Sequence, residues 1–163
     1  MSGGSSKIES PSSKEAPSPK PQSEATDSSE RAWWEVDDDD LVVRETPNGD
    51  GYYANDLEER LTVFGEDVIE LAKKLPKAAE NNRIKDQLVG AGTSIGANYC
   101  EATESVSKKD FRFSISRCKK EAKETRFFIR MLVASAPELA NTARPLYREA
   151  TELMLIFASM YRK

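Results

Sequence analysis

GTSIGANYCEA, residues 92–102, followed by SKKDF, residues 107–111, is the stretch that decides the fold of this chain. Around it, Ile84, Leu88, Ala91, Ile95, Asn98 and Ala102 recur at alternating four- and three-residue steps. That is one face of an α-helix, the face that packs on a partner. Asn98 falls on it. A buried amide costs free energy unless its donors and acceptor are satisfied, so Asn98 is expected to be buried and to reach a specific partner on another helix. Gly90, Gly92 and Gly96 lie in the same helix, each costing about 1 kcal/mol relative to alanine. Their clustering predicts a second backbone passing close.

Upstream, Asp56 with Glu59 three residues on reads as a capping box. It opens a helix over Leu57–Leu75 whose stripe is Leu57, Leu61, Phe64, Val68, Leu71 and Leu75, and Pro76 ends it. The second helix spans Arg83–Glu104. Downstream, Ser107 caps a third helix with Asp110 at its third position, and Phe111, Ile115, Cys118, Ala122, Thr125, Ile129 and Leu132 form its buried stripe. Pro137 stops it, and residues 137–141 suit a short helical turn. Leu139, Ala143, Leu146, Ala150, Leu153, Phe157 and Met160 mark the last helix, with Pro145 in its first turn, where a missing N–H costs least. Four stripes with short connections predict an all-α protein, an antiparallel up-down four-helix bundle over residues 53–163.

Residues 1–52 form a different segment, an acidic tail. The first 32 are rich in Ser, Pro, Lys and Glu and nearly free of large apolar groups, a composition that predicts disorder. Within the tail, Trp33 and Trp34 precede the run Asp37–Asp40 and the triplet Leu41–Val43. Either this arm rests its aromatics on the bundle, or it is a short motif for a protein partner. The aspartate run lacks the spacing of a calcium loop. A pairing of Leu41–Val43 with Tyr52–Tyr53 is the one strand pattern that competes with the helices.

The chain has 24 Lys+Arg against 28 Asp+Glu, a net of −4, and no histidine. The charge is uneven: residues 1–56 carry 5 and 13, a net of −8, and residues 57–163 carry 19 and 15, a net of +4. Without histidine the commonest general base, the usual triads and every histidine-ligated metal site are excluded, so no catalytic residue, cofactor or metal is expected. Cys100 and Cys118 are too few and too far apart for a zinc knuckle or a CxxC motif, and free thiols suit a reducing cytoplasm. Cys118 lies on the core stripe as a small apolar residue. No apolar run approaches membrane-spanning length, and no signal-peptide core is expected at the N-terminus.

Two readings bear on function. Phe127, Phe128, Ile129, Met131, Leu132 and Val133 make the end of helix three apolar beyond one stripe, and Leu153–Phe157 does the same in helix four. A second buried face, hence self-association, follows. Helix three also carries nine cations against Asp110, Glu121 and Glu124, a net of +6. Lys108, Lys109, Arg112, Lys119, Lys123 and Arg126 are the candidate contacts to nucleic-acid phosphates, RNA or DNA. The bland alternative is a solvated face with pairs such as Lys120–Glu124. No aromatic alternates with the basic residues on that face, so base stacking is not indicated. Glu101 and Glu124 read as structural groups that hold Asn98, Arg126 or lysines across the helix two–three contact, rather than as metal ligands. GAGTSIG at residues 90–96 lacks the lysine and the preceding strand of a phosphate loop.

GTSIGANYCEA, SKKDF and KEAKETRFFIRML (residues 120–132), in that order, resemble the bacterial four-helix-bundle family of proteins encoded by intervening sequences in 23S ribosomal RNA genes. The resemblance spans residues 56–163. It implies an antiparallel bundle assembled as a homopentamer and no known enzymatic activity. A more distant likeness is to the accessory protein of diversity-generating retroelements, a pentameric bundle that works with a reverse transcriptase and binds nucleic acid. The functional expectation is a non-enzymatic nucleic-acid or ribonucleoprotein scaffold. The alternatives are a protein-interaction scaffold using the Trp-containing arm, or an accessory subunit of a reverse transcriptase.

Overall fold

The computed structural model describes residues 32–34 and 52–162, together with Met1 and Gly3. Four helices account for the bundle: α1 (Tyr52–Lys74), α2 (Ala79–Thr103), α3 (Lys108–Ser135) and α4 (Ala140–Arg162), with a 3-10 turn at Pro137–Leu139 between the last two. Among the described residues there is no strand. Tyr52 and Tyr53 are helical, which overturns the strand pairing proposed for them; Leu41–Val43 and most of the acidic tail lie outside the described residues.

The stripes read from the sequence are the core. Phe64, Val68 and Leu71 from α1, Leu88 and Ile95 from α2, Ile115, Ile129 and Leu132 from α3, and Leu153 and Phe157 from α4 are fully buried together. Each consecutive pair of helices runs antiparallel, because contacts pair rising with falling residue numbers. Gly92 meets Val68 while Gly96 meets Leu61. Asn81 meets Ser135 while Glu101 meets Arg117. Arg126 meets Tyr147 while Arg112 meets Tyr161. The result is an up-down-up-down bundle.

Helix ends follow local chemistry, with three departures from expectation. Ser107 Oγ accepts from Asp110 N at 3.1 Å and donates to Asp110 Oδ2 at 2.6 Å, the reciprocal cap expected of this pair. Helix α1, however, starts at Tyr52, so Asp56 lies inside it and caps nothing. No proline or glycine stands between Tyr52 and Asp56, so nothing breaks the helix before Gly51. Helix α2 starts at Ala79 behind Ala78, whose side chain makes no cap. Pro145 sits in the second turn of α4, since the 3-10 turn lets the helix begin at Ala140. The carbonyl of Asn141 thereby loses its helical donor, but Asn141 is on the exposed face, where this costs least.

The buried polar groups mostly satisfy themselves within their own helix. Asn98 is buried, as expected, yet its Nδ2 donates to the Ser94 carbonyl one turn back at 2.7 Å, not to another helix. Thr125 and Thr151 bond the Glu121 and Tyr147 carbonyls in the same way. The amide that does cross is Asn81: Nδ2 donates to the Pro76 carbonyl at 3.0 Å, and Oδ1 accepts from Ser135 Oγ at 2.5 Å. Of the three clustered glycines only Gly92 is a true close approach. A Cβ there would fall 2.7 Å from Val68 Cγ1, whereas at Gly90 it would meet nothing within 4 Å. The neighbour is a stiff β-branched side chain, so the expected second backbone is not what the glycines accommodate.

Helices α1 and α4 are the most sparsely packed neighbours. A polar clamp joins them: Arg60 Nε and Nη2 donate to the two carboxylate oxygens of Glu149 at 2.6 and 2.9 Å, and Nη2 also reaches Glu152 at 2.7 Å. Trp33 and Trp34 belong to the same compact unit as the bundle. Trp33 lies edge-on to Tyr147 at 5.7 Å, and the Arg130 guanidinium stands 4.4 Å over the Trp34 ring. Of the two readings of this arm, the one in which its aromatics rest on the bundle is the one these contacts describe.

Candidate nucleic-acid interface

A helix turns 100° per residue, so Lys108, Arg112, Lys119, Lys123, Arg126 and Arg130 fall within a sector of roughly 60° over about 33 Å of α3. Lys108, Lys109, Arg112, Lys119, Lys123 and Arg130 are exposed. None of them makes an ion pair among the described residues, and the expected Lys120–Glu124 pair does not form. Arg117, on the side of α3 that faces α2, is paired instead: its Nη1 meets Glu101 Oε2 at 3.1 Å. Glu101 thus pairs across the α2–α3 contact with Arg117, and not with Asn98, Arg126 or a lysine, the partners expected of it. Glu124 is half-buried and holds none of the expected groups.

Arg126 does not belong with the free cations. It is half-buried, donates to Tyr147 Oη at 2.9 Å and to Met154 Sδ at 3.6 Å, and lies 4.9 Å over the Tyr147 ring. Its Nε is buried with no partner. This arginine is part of the α3–α4 seam, and its long stem packs rather than reaches out.

Aromatic rings do accompany the cations, contrary to expectation. Arg112 and Lys119 stand 4.9 and 5.6 Å over Tyr161, Arg126 over Tyr147 and Arg130 over Trp34. The rings that lie under these cations come from α4 and from the N-terminal arm, which α3 read alone does not reveal. Such contacts stabilise by about 0.5–1 kcal/mol each at exposed sites and hold the cations in a row.

Nothing in the arrangement resembles a nucleophile–base pair. The buried Cys118 thiol, pushed up to about 12 chiefly by burial, stays protonated and points at the Ile95 carbonyl at 3.6 Å. Among the described residues no three metal-ligating side chains converge, and no helix is long and apolar enough to cross a membrane.

A small antiparallel bundle with one long basic edge is thus the class that fold and surface define. Residues 56–159 match the 23S rRNA-intervening sequence protein family, and the chain belongs to it. No curated protein matches the chain. Among solved structures it is similar to a protein of unknown function from the S23 ribosomal protein family of Bacteroides thetaiotaomicron VPI-5482, with 25% identity and a TM-score of 0.60 over 68% of this chain and 98% of that one.

Proposed function

We propose that this protein is a non-enzymatic, self-associating, cytoplasmic bundle that binds RNA or DNA through the basic edge of α3. The observation that carries the reading is the row of exposed cations, Lys108, Lys109, Arg112, Lys119 and Lys123, without carboxylate partners among the described residues. Solvated structural lysines on a helix usually alternate with acids at i, i+4. Here the three acids of α3 are Asp110, which is held by Ser107, and the half-buried Glu121 and Glu124, neither of which pairs with a lysine among the described residues. Unpaired cations in a row recognise a line of phosphates by releasing its counterions.

Fluorescence anisotropy with labelled RNA and duplex DNA at two salt concentrations tests this. Affinity should fall steeply with salt and depend little on sequence. Reversing Lys119 and Lys123 to glutamate should weaken binding with unchanged helicity, since both side chains are exposed. Replacing Asp37–Asp40 by asparagine should strengthen it, because that removes four negative charges a few residues from Trp34, which lies against Arg130. Absence of binding at low salt by the full chain and by the neutralised variant would discard the reading.

A further inference from the structure

We propose that the α3–α4 corner at Phe113 and Tyr161 takes an unpaired nucleobase, so that the ligand is single-stranded nucleic acid. This rests on the phosphate-binding reading above and deepens it. Where the first turns of α3 meet the last turn of α4, an open cleft of about 480 Å³ is lined by Lys108, Lys109, Arg112, Phe113, Ser116 and Tyr161. That is large enough for a base with its sugar and phosphate. Phe113 is 63% exposed and Tyr161 38% exposed. Phe113 touches no other ring and no cation among the described residues, so its face is open.

The surroundings choose the occupant. An apolar protein surface seated on Phe113 would bury Lys108, Lys109 and Arg112 at its centre, and lysine is depleted there in protein interfaces. A ligand that carries a flat π-face and an adjacent negative charge uses the ring and the cations together. Asp110, the acid of this turn, is held by Ser107. In a duplex the base faces are stacked on one another and closed to the rings. Only an unpaired base can lie on Phe113 while its phosphates follow the row from Arg112 to Lys119 and Lys123.

The test uses the full chain and three labelled probes of equal charge: oligothymidylate, an abasic strand of the same length, and duplex DNA. Oligothymidylate should bind about tenfold more tightly than the abasic strand. Phe113→Leu, which keeps an apolar side chain but removes the ring, should lose that tenfold and leave the abasic affinity and the salt slope unchanged. Phe113→Trp should retain it. Equal affinity for oligothymidylate and the abasic strand, or full retention by Phe113→Leu, would overturn the base-binding corner and leave the phosphate reading standing. A change of mass in light scattering for Phe113→Leu, with the base preference intact, would assign the corner to a second copy of the chain and overturn the proposal. Failure of all three probes to bind at low salt would overturn both readings.

Discussion

Asn81 shows how much one side chain ties together: the α1–α2 turn through Pro76, the start of α2, and the end of α3 through Ser135. Asn81→Ala removes both bonds, and because Pro76 and Ser135 are exposed residues that water can reach, it should cost about 0.5–1.5 kcal/mol in chemical denaturation. Asn98→Ala should cost about 0.5–1 kcal/mol, because the Ser94 carbonyl is already placed to accept a helical N–H. The burial of Asn98 was legible, since the stripe runs through it. Its partner was not, because a stripe says which face is inside and nothing about which oxygen lies nearest. Asn81 extends the same stripe, three residues before Ile84, but it falls outside a helix expected to begin at Arg83. The glycines give a second contrast. Gly90→Ala should stabilise by about 1 kcal/mol, whereas Gly92→Ala should destabilise in the same assay, as Val68 is fully buried and has nowhere to move. The cysteines give a third. In native protein a disulfide thiol reagent should modify exposed Cys100 and spare buried Cys118, with the second thiol appearing only on unfolding. Rapid modification of both at neutral pH would contradict the burial that pushes Cys118 up to about 12.

At the scale of elements, the α1–α4 side depends on the Arg60 clamp. The guanidinium is held above its ordinary range chiefly by its hydrogen bond to Glu149, so it remains charged throughout the working pH range. Its side chain is 36% exposed, which screens the pair, and Arg60→Ala should cost about 0.5–1 kcal/mol, less in high salt. Arg60→Lys should recover only part, because an ammonium cannot make the two-pronged contact. A thermal midpoint unmoved by Arg60→Ala at low salt would remove the clamp from the account. The helices themselves were readable from spacing because apolar periodicity is a property of one segment. The clamp was not, because Arg60 and Glu149 lie 89 residues apart, and neither interrupts a pattern. The rings over the α3 cations escaped for the same reason.

For the whole molecule, the surplus apolar surface bears on assembly. Phe127 is 54% exposed and packs edge-on with half-buried Phe128, while Met131, Leu155 and Ile156 are also only half-buried. Light scattering at micromolar concentration should therefore give a mass above that of one 18.2 kDa chain, and Phe127→Asp should lower it. A monomeric mass for the native chain would refute self-association. Composition located the charge asymmetry between tail and bundle, yet could not say that the tail's aromatics rest on Tyr147 and beneath Arg130. That placement has an optical consequence. The chain holds two tryptophans, Trp33 and Trp34, and the four helices hold none. Intrinsic fluorescence therefore reports the docked arm, while far-ultraviolet circular dichroism reports the helices. In a titration with denaturant or salt, emission that shifts to the red before ellipticity falls would time the departure of the arm from the bundle, with no label attached.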